Sequence, residues 1–377
     1  MRTLSLPFVV TLAILAACGT PSSKEPRTIT TPLIGSAFQG LAFTAKLIET
    51  ARQSSVVKFF DFAAGTITTT LEDQSADPLL ATAGSHTFLF NRAGAKNFRE
   101  IDPITAHGAT PGAFATPGAQ DSDPQSVVAL DDEHLLLAQR LGGALVVVSR
   151  TDGRLVSRLT AADFSGLDIL RPAALLKMGD RVFVLHQGLN RNLKCDGTQR
   201  ILSVRWNGNE LKPTGSRGTA IKPSLAQGFH SVSGDSAVVV GFTRPSDSAC
   251  AAGGQRIALN AGTTSDLLLP GLEDYQFRNQ VIDGPANVLY ASVSAASLAQ
   301  NVVVRIDLAT PARLSLRHSY GTSSDRLYGL FYDSSTETLL IGDEDASQGL
   351  LRLVHERDGT AETVMTGELP YNGIFVR

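Results

Sequence analysis

The chain has 377 residues, 43% of them hydrophobic, and 33 basic against 36 acidic side chains leave a formal net charge of −3. Neither sign forms a long run, which excludes nucleic acid as a main partner, and the apolar fraction is ample for a folded core. Length alone leaves the number of domains open.

The first element reads as an address. Arg2 supplies a positive charge, Leu4 to Ala17 is an apolar run, and Leu15-Ala16-Ala17-Cys18 ends it. The run is shorter than the roughly 20 residues that cross a bilayer, so 1–17 reads as an export signal and not as a spanning helix. Leu15 to Cys18 resembles the bacterial lipobox. The resemblance implies that Cys18 is lipidated on its thiol, palmitate being one such acyl group, and becomes the first residue of the mature chain. An ordinary signal peptide with an Ala-x-Ala-like cleavage site, or a buried N-terminal helix, is the plainer alternative. One acyl chain holds a protein marginally at a membrane and two or more hold it stably. Residues 18–32, rich in Ser, Thr and Pro, follow as a flexible tether, leaving 33–377 for the folded domain. Gly19 after the cysteine fits outer-membrane sorting in a Gram-negative-type envelope.

Beyond the tether one pattern recurs: an apolar run, a tight turn, a second run. It begins at Val56, Phe98, Leu145, Ile201, Arg256, Val302 and Leu350. Asp152-Gly153, Asn207-Gly208 and Asp358-Gly359 mark the turns, since tight hairpins need positive φ where Asn, Asp and Gly cost least. From Asp61 to Glu356 six periods span 295 residues, about 49 each, which is the spacing of propeller blades. Two further strand-like runs precede each pattern, as in "PAALLKMGD" with "RVFVLHQG". The first unit alone lacks a good inner strand, while "PYNGIFVR" at the C-terminus resembles one and has nothing after it to pair with. The expected fold is all-β, a seven-bladed propeller of four-stranded blades closed by the C-terminal strand pairing with the N-terminal blade. Closure abolishes two exposed sheet edges. A pair of β-sandwiches would also show short strands, but not seven equal units.

"REIDPITAHGAT" and "VVRIDLATPARL" are similar to the strand-Asp-turn-strand repeats of bacterial YncE-like and lactonase-like seven-bladed propellers, with the turn Asp at Asp61, Asp102 and Asp307. Tryptophan-rich quinoprotein repeats are absent, Trp206 being the only Trp.

With the units aligned, Cys195 and Cys250 each lie 11 residues after an equivalent valine, Val184 and Val239, in the second-to-third-strand loops of adjacent blades. An exported compartment permits a disulfide between them. Two free surface thiols are the other possibility. A metal site is disfavoured because no His lies near either cysteine in sequence.

Propellers usually bind where these loops and the starts of the inner strands surround the central channel. Polar or aromatic residues expected there are Gln125, Arg171, His230, Arg278, Asn279, Arg326, Tyr328, Tyr371 and Asn372, with Arg191 and Lys194 on the bridged loop. A channel lining needs polar residues in any propeller, so each also has a structural reading. His186 and His230 could serve as acid and base, or as satisfied structural histidines. Asp343, Glu344 and Asp345 lack the spacing of a calcium loop. No Gly-x-Ser-x-Gly elbow, His-Glu-x-x-His pair or Walker-type loop is present. The reading is a monomeric, membrane-anchored envelope lipoprotein without catalytic residues, cofactor or metal, whose propeller binds a protein, peptide or glycan. A lactonase-like or metal-dependent hydrolase acting at the channel mouth is the alternative.

Overall fold

The computed structural model describes residues 33–377 except 34, 47–54, 75–77, 93–96, 106–113, 116–121, 224–225, 227, 242–249, 251–252, 268–274, 296–301, 309–312, 320–328 and 346–347. Cys18 and the tether lie outside the described residues. Seven antiparallel sheets follow one another as blades. Among the described residues, no helix is long and apolar enough to cross a membrane.

Blade 1 comprises Leu369–Val376, Gly40–Lys46, Ser55–Asp61 and Thr66–Gln74, from the inside out. Blades 2 and 3 begin with inner strands Pro78–Ala83 and Pro124–Ala129, blades 4 and 5 with Pro172–Met178 and Gly228–Ser233, and blades 6 and 7 with Tyr275–Asp283 and Leu330–Asp333. Each inner strand neighbours the next, and the closing strand neighbours those of blades 2 and 7, so the ring is complete. The sequence-based architecture is the observed one. It differs in one detail: the outer strand of blade 4 comes in two pieces, Leu211–Pro213 and Thr219–Ala220, both paired with Arg200–Trp206.

Why the second strands read as unbroken apolar runs follows from this arrangement. A radial sheet has a neighbour on each face, so both sets of alternating side chains are buried. In His134–Gln139, Leu135 and Leu137 pack with Phe88 and Phe90 of blade 2, while Leu136 and Ala138 pack with Val182 and Val184 of blade 4. The same division recurs around the molecule, giving one apolar cluster at each of seven seams. The core is thus a ring of seams rather than one central mass.

Turn chemistry matches the sequence signals. Gly153, Gly208 and Gly359 have φ of 70°, 92° and 71°. Asp61 and Asp102, the turn aspartates of the repeat, accept backbone N–H groups of Ala64 and Ile104. Such side-chain capping lets a short polar residue take the place of a backbone partner.

At closure, Gly40 to Lys46 pairs with the C-terminal strand, Gly40 opposite Val376 and Phe43 opposite Gly373. Phe375 stacks on Phe38 with ring centroids 4.8 Å apart, and Phe62 meets Phe375 edge-on. Lys58, 8% exposed, forms an ion pair with Glu368 and donates to Thr366 O. Gly342 is required here, since a Cβ at that position would lie 2.3 Å from Pro370 O.

Alternation of strand direction gives the ring two faces. The second-to-third-strand loops and the starts of the inner strands form the upper face; the remaining hairpin turns form the lower face. On the lower face, side chains tie neighbouring blades: Trp206 Nε1 donates to Asp131, which also meets His134, and Arg150 meets His86, itself paired with Glu100. The N-terminal segment enters on this lower side, Leu33 N donating to Phe62 O in the outer hairpin turn of blade 1.

Candidate functional site: the upper face and its bridged lip

Cys195 and Cys250 form a disulfide that joins blades 4 and 5. Both cysteines are 6% exposed and, among the described residues, form a small apolar cluster with Leu189. Between Arg181–His186 and Arg200–Trp206, the chain first doubles back through a bridge pairing Leu189 with Cys195. Within it Asn190 Oδ1 accepts the N–H groups of Asn192 and Lys194, and Leu193 N donates to Asn190 O at 3.0 Å. The tip is so tight that Leu193 takes φ 57°, a conformation costly for a residue with a Cβ. Gly188, at φ 60°, opens the turn; a Cβ there would lie 2.4 Å from Gln199 N.

Behind the lip runs a polar relay. Arg171 N donates to His186 Nδ1 at 3.0 Å, which puts the ring proton on Nε2, 3.3 Å from Thr198 Oγ1. Thr198 Oγ1 in turn donates to Asp196 Oδ1 at 2.6 Å. Burial pushes the His186 pKa down to about 4, the Asp196 charge opposing and the Arg200 and Arg171 charges assisting. The imidazole is therefore neutral at neutral pH, fully buried, and engaged at both nitrogens.

Arg171, expected to face the funnel, is instead 5% exposed and acts as a clamp. Its Nη1 donates to Arg140 O and Leu141 O in the loop of blade 3, at 3.0 and 3.1 Å, and its Nη2 approaches Asn190 O in the lip at 3.5 Å. Burial lowers its pKa, as does nearby Arg140, while Asp123 opposes. Arg140 is held by Asp123 Oδ2 at 2.9 Å.

The other expected residues divide. Asn372 Oδ1 accepts the N–H of Leu80 at 2.7 Å, so the closing strand caps a backbone donor on the inner strand of blade 2. Ser126 does the same for Leu175 N, from blade 3 to blade 4. Inner strands are sheet edges, and these side chains satisfy their outward N–H groups. Gln125 donates to Asp123 Oδ1 at 2.7 Å. Asn279 lies in a register shift of the blade 6 inner strand, its N–H bonded to Ser292 Oγ. His230 and Gln280 both lie beside Gly228, and burial lowers the His230 pKa to about 4. The backbone places Arg278 and Tyr371 on inner strands, their side chains lying outside the described set. Arg326 and Tyr328 lie outside the described residues, as do Arg244 and Asp247 of the second bridged loop. Arg191 and Lys194 are exposed on the lip.

One aromatic cluster carries no signal in the sequence. Tyr290 of blade 6 and Tyr332 of blade 7 stack at 4.8 Å on the lower side of the ring. Burial raises both phenol pKa values; the Glu356 charge adds to the rise for Tyr290 and the Tyr290 and Asp283 charges for Tyr332. Neither tyrosine stands in a motif, and only the alignment of the two blades brings them together. Among the described residues, no group of three or more His, Cys, Asp or Glu side chains could hold a metal ion.

No family model matches the chain, and no curated protein is similar in sequence. Similar solved structures include a Lactobacillus plantarum protein, 12% identical, with a TM-score of 0.63 over 90% of this chain and 100% of that one. A 6-phosphogluconolactonase-like protein of Bacteroides fragilis is 13% identical, with a TM-score of 0.58 over 90% of this chain and 98% of the other. A quinoprotein alcohol dehydrogenase-like protein of Bacteroides thetaiotaomicron gives 11% and 0.58, over 89% and 78%. Likeness at this level establishes the propeller fold and leaves function to the site itself.

Proposed function

We propose that this protein is an exported envelope lipoprotein, with a signal at 1–17, an acylated Cys18, a tether at 18–32 and a non-catalytic, monomeric propeller over 33–377. The propeller binds a protein, peptide or glycan partner on its upper face. The carrying observation is the lip: a disulfide between adjacent blades fixes a loop whose cations face solvent, while the histidine behind it is buried, neutral and engaged. A loop already rigid loses little entropy when it meets a partner. Disulfides persist in oxidising compartments, which supports export. His186 could not act as acid or base towards a substrate from a position with 0% exposure.

Comparing Cys195→Ser/Cys250→Ser with the unaltered chain for capture of envelope partners from extract tests the lip. Reduced capture is the expected result; unchanged capture with reduced stability would leave the disulfide a staple and move binding to the channel. For the anchor, metabolic fatty-acid labelling should be lost in Cys18→Ala, and undiminished label would refute acylation there.

A further inference from the structure

Four large apolar side chains are exposed among the described residues, Ile104, Leu141, Leu155 and Leu193. Two of them share one support on the upper face. Leu141 is 40% exposed and Leu193 36%. The Arg171 guanidinium binds Leu141 O directly and reaches Asn190 O, which itself accepts Leu193 N. A buried cation thus ties the backbones that carry two exposed leucines of adjacent blades, and one of these residues is held at φ 57°. Strain at an exposed position, maintained by a disulfide and a clamp, calls for a role in which the side chain must stand out. Arg191 and Lys194 flank Leu193 and are exposed, with no carboxylate within salt-bridge distance among the described residues. The loop's carboxylate, Asp196, is occupied by Thr198 N and Oγ1.

We infer that this ridge docks an acidic peptide segment carrying an apolar side chain, presented by a protein partner. The inference rests on the partner-binding reading and names the chemistry of the same lip. An anionic membrane would satisfy the same charges, but the geometry favours a protein. Leu33, where the proposed tether joins the propeller, is bound to the lower face, so the tether starts on the face opposite the ridge.

The experiment selects binders to the full chain, in detergent micelles, from a displayed library of random dodecapeptides, and measures the recovered peptides by fluorescence polarisation. Two variants accompany it: Leu193→Gly, which suits the positive φ and should melt like the unaltered chain, and Arg191→Glu with Lys194→Glu. Acidic, apolar-containing peptides should be recovered, and each variant should bind them about tenfold or more weakly, as for loss of a central contact. Peptides that lack this composition, or that bind both variants undiminished, would overturn the ridge while leaving the partner reading to the channel. Flotation with vesicles of equal phosphatidylcholine and phosphatidylglycerol, if lost in the variants while no peptide is recovered, would overturn it in favour of a lipid surface. Recovery of neither would refute the ridge and count against a peptide-binding face altogether.

Discussion

Blade 1 and the lip over blades 4 and 5 each join segments far apart in the chain, and they do so by different means. The closing blade lies inside the ring, where Leu41, Phe43 and Phe60 are fully buried and the Phe38–Phe375 stack covers the seam. Burial of that kind contributes about 25 cal/mol per Å2 of apolar surface, and no covalent tie is required. The lip lies outside the seams, and among the described residues its apolar cluster is Leu189 with the two cysteines. With so little apolar area to bury, a disulfide, an Asn190-centred turn and the Arg171 clamp take over. Function can sit where cohesion does not consume the side chains: closure uses its own for packing, whereas the lip leaves Arg191 and Lys194 to solvent.

The largest effect should come from deleting Leu369–Val376. That removes the inner strand of blade 1 and bares the edge of Gly40–Lys46. A loss of more than about 5 kcal/mol is expected, the scale of a whole domain's stability. Denaturant unfolding would show it, and a truncated protein as stable as the full chain would mean that the C-terminal strand does not hold the ring closed.

Next comes the disulfide. Its sequence separation of 55 gives about 4 kcal/mol in the chain-entropy model, an upper value because the closed ring already holds the loops near each other. Cys195→Ser/Cys250→Ser should therefore lose less than this, and less than the truncation does.

His186 gives a smaller, pH-dependent effect. Its pKa falls from an ordinary 6.5 to about 4 on folding, so the unfolded chain binds the extra proton between those values. The stability it contributes is complete above pH 6.5 and is lost as pH falls towards 4, up to about 3 kcal/mol. The melting temperature of His186→Asn should accordingly vary less with pH across that window than that of the unaltered chain. Equal slopes would contradict the neutral, buried relay.

The ring was legible in the sequence because it rests on local signals. Unbroken runs such as "VVV" mark strands covered on both faces, Asp-Gly and Asn-Gly mark turns, and a C-terminal strand without a neighbour points to the unit that lacks one. The cysteine pair was legible for the same reason, since equal spacing in adjacent repeats puts equivalent loops side by side. The roles of the polar residues were not. Whether Asn372 lines a site or caps Leu80 N depends on the next blade's backbone, 292 residues away. Arg171 likewise serves carbonyls 30 and 31 residues back. A repeat predicts where a strand lies, but the direction of a polar side chain at its edge is decided by a neighbour the pattern does not encode.

The most direct measurement is amide hydrogen exchange by mass spectrometry on the unaltered chain and on Cys195→Ser/Cys250→Ser. If the two regions are held independently, the variant exchanges faster in residues 188–198 and around Cys250, while the peptides covering Gly40–Lys46 and Leu369–Val376 keep their protection. Equal protection of the lip in both proteins, or a loss of protection that spreads to the closing strand, would contradict the account.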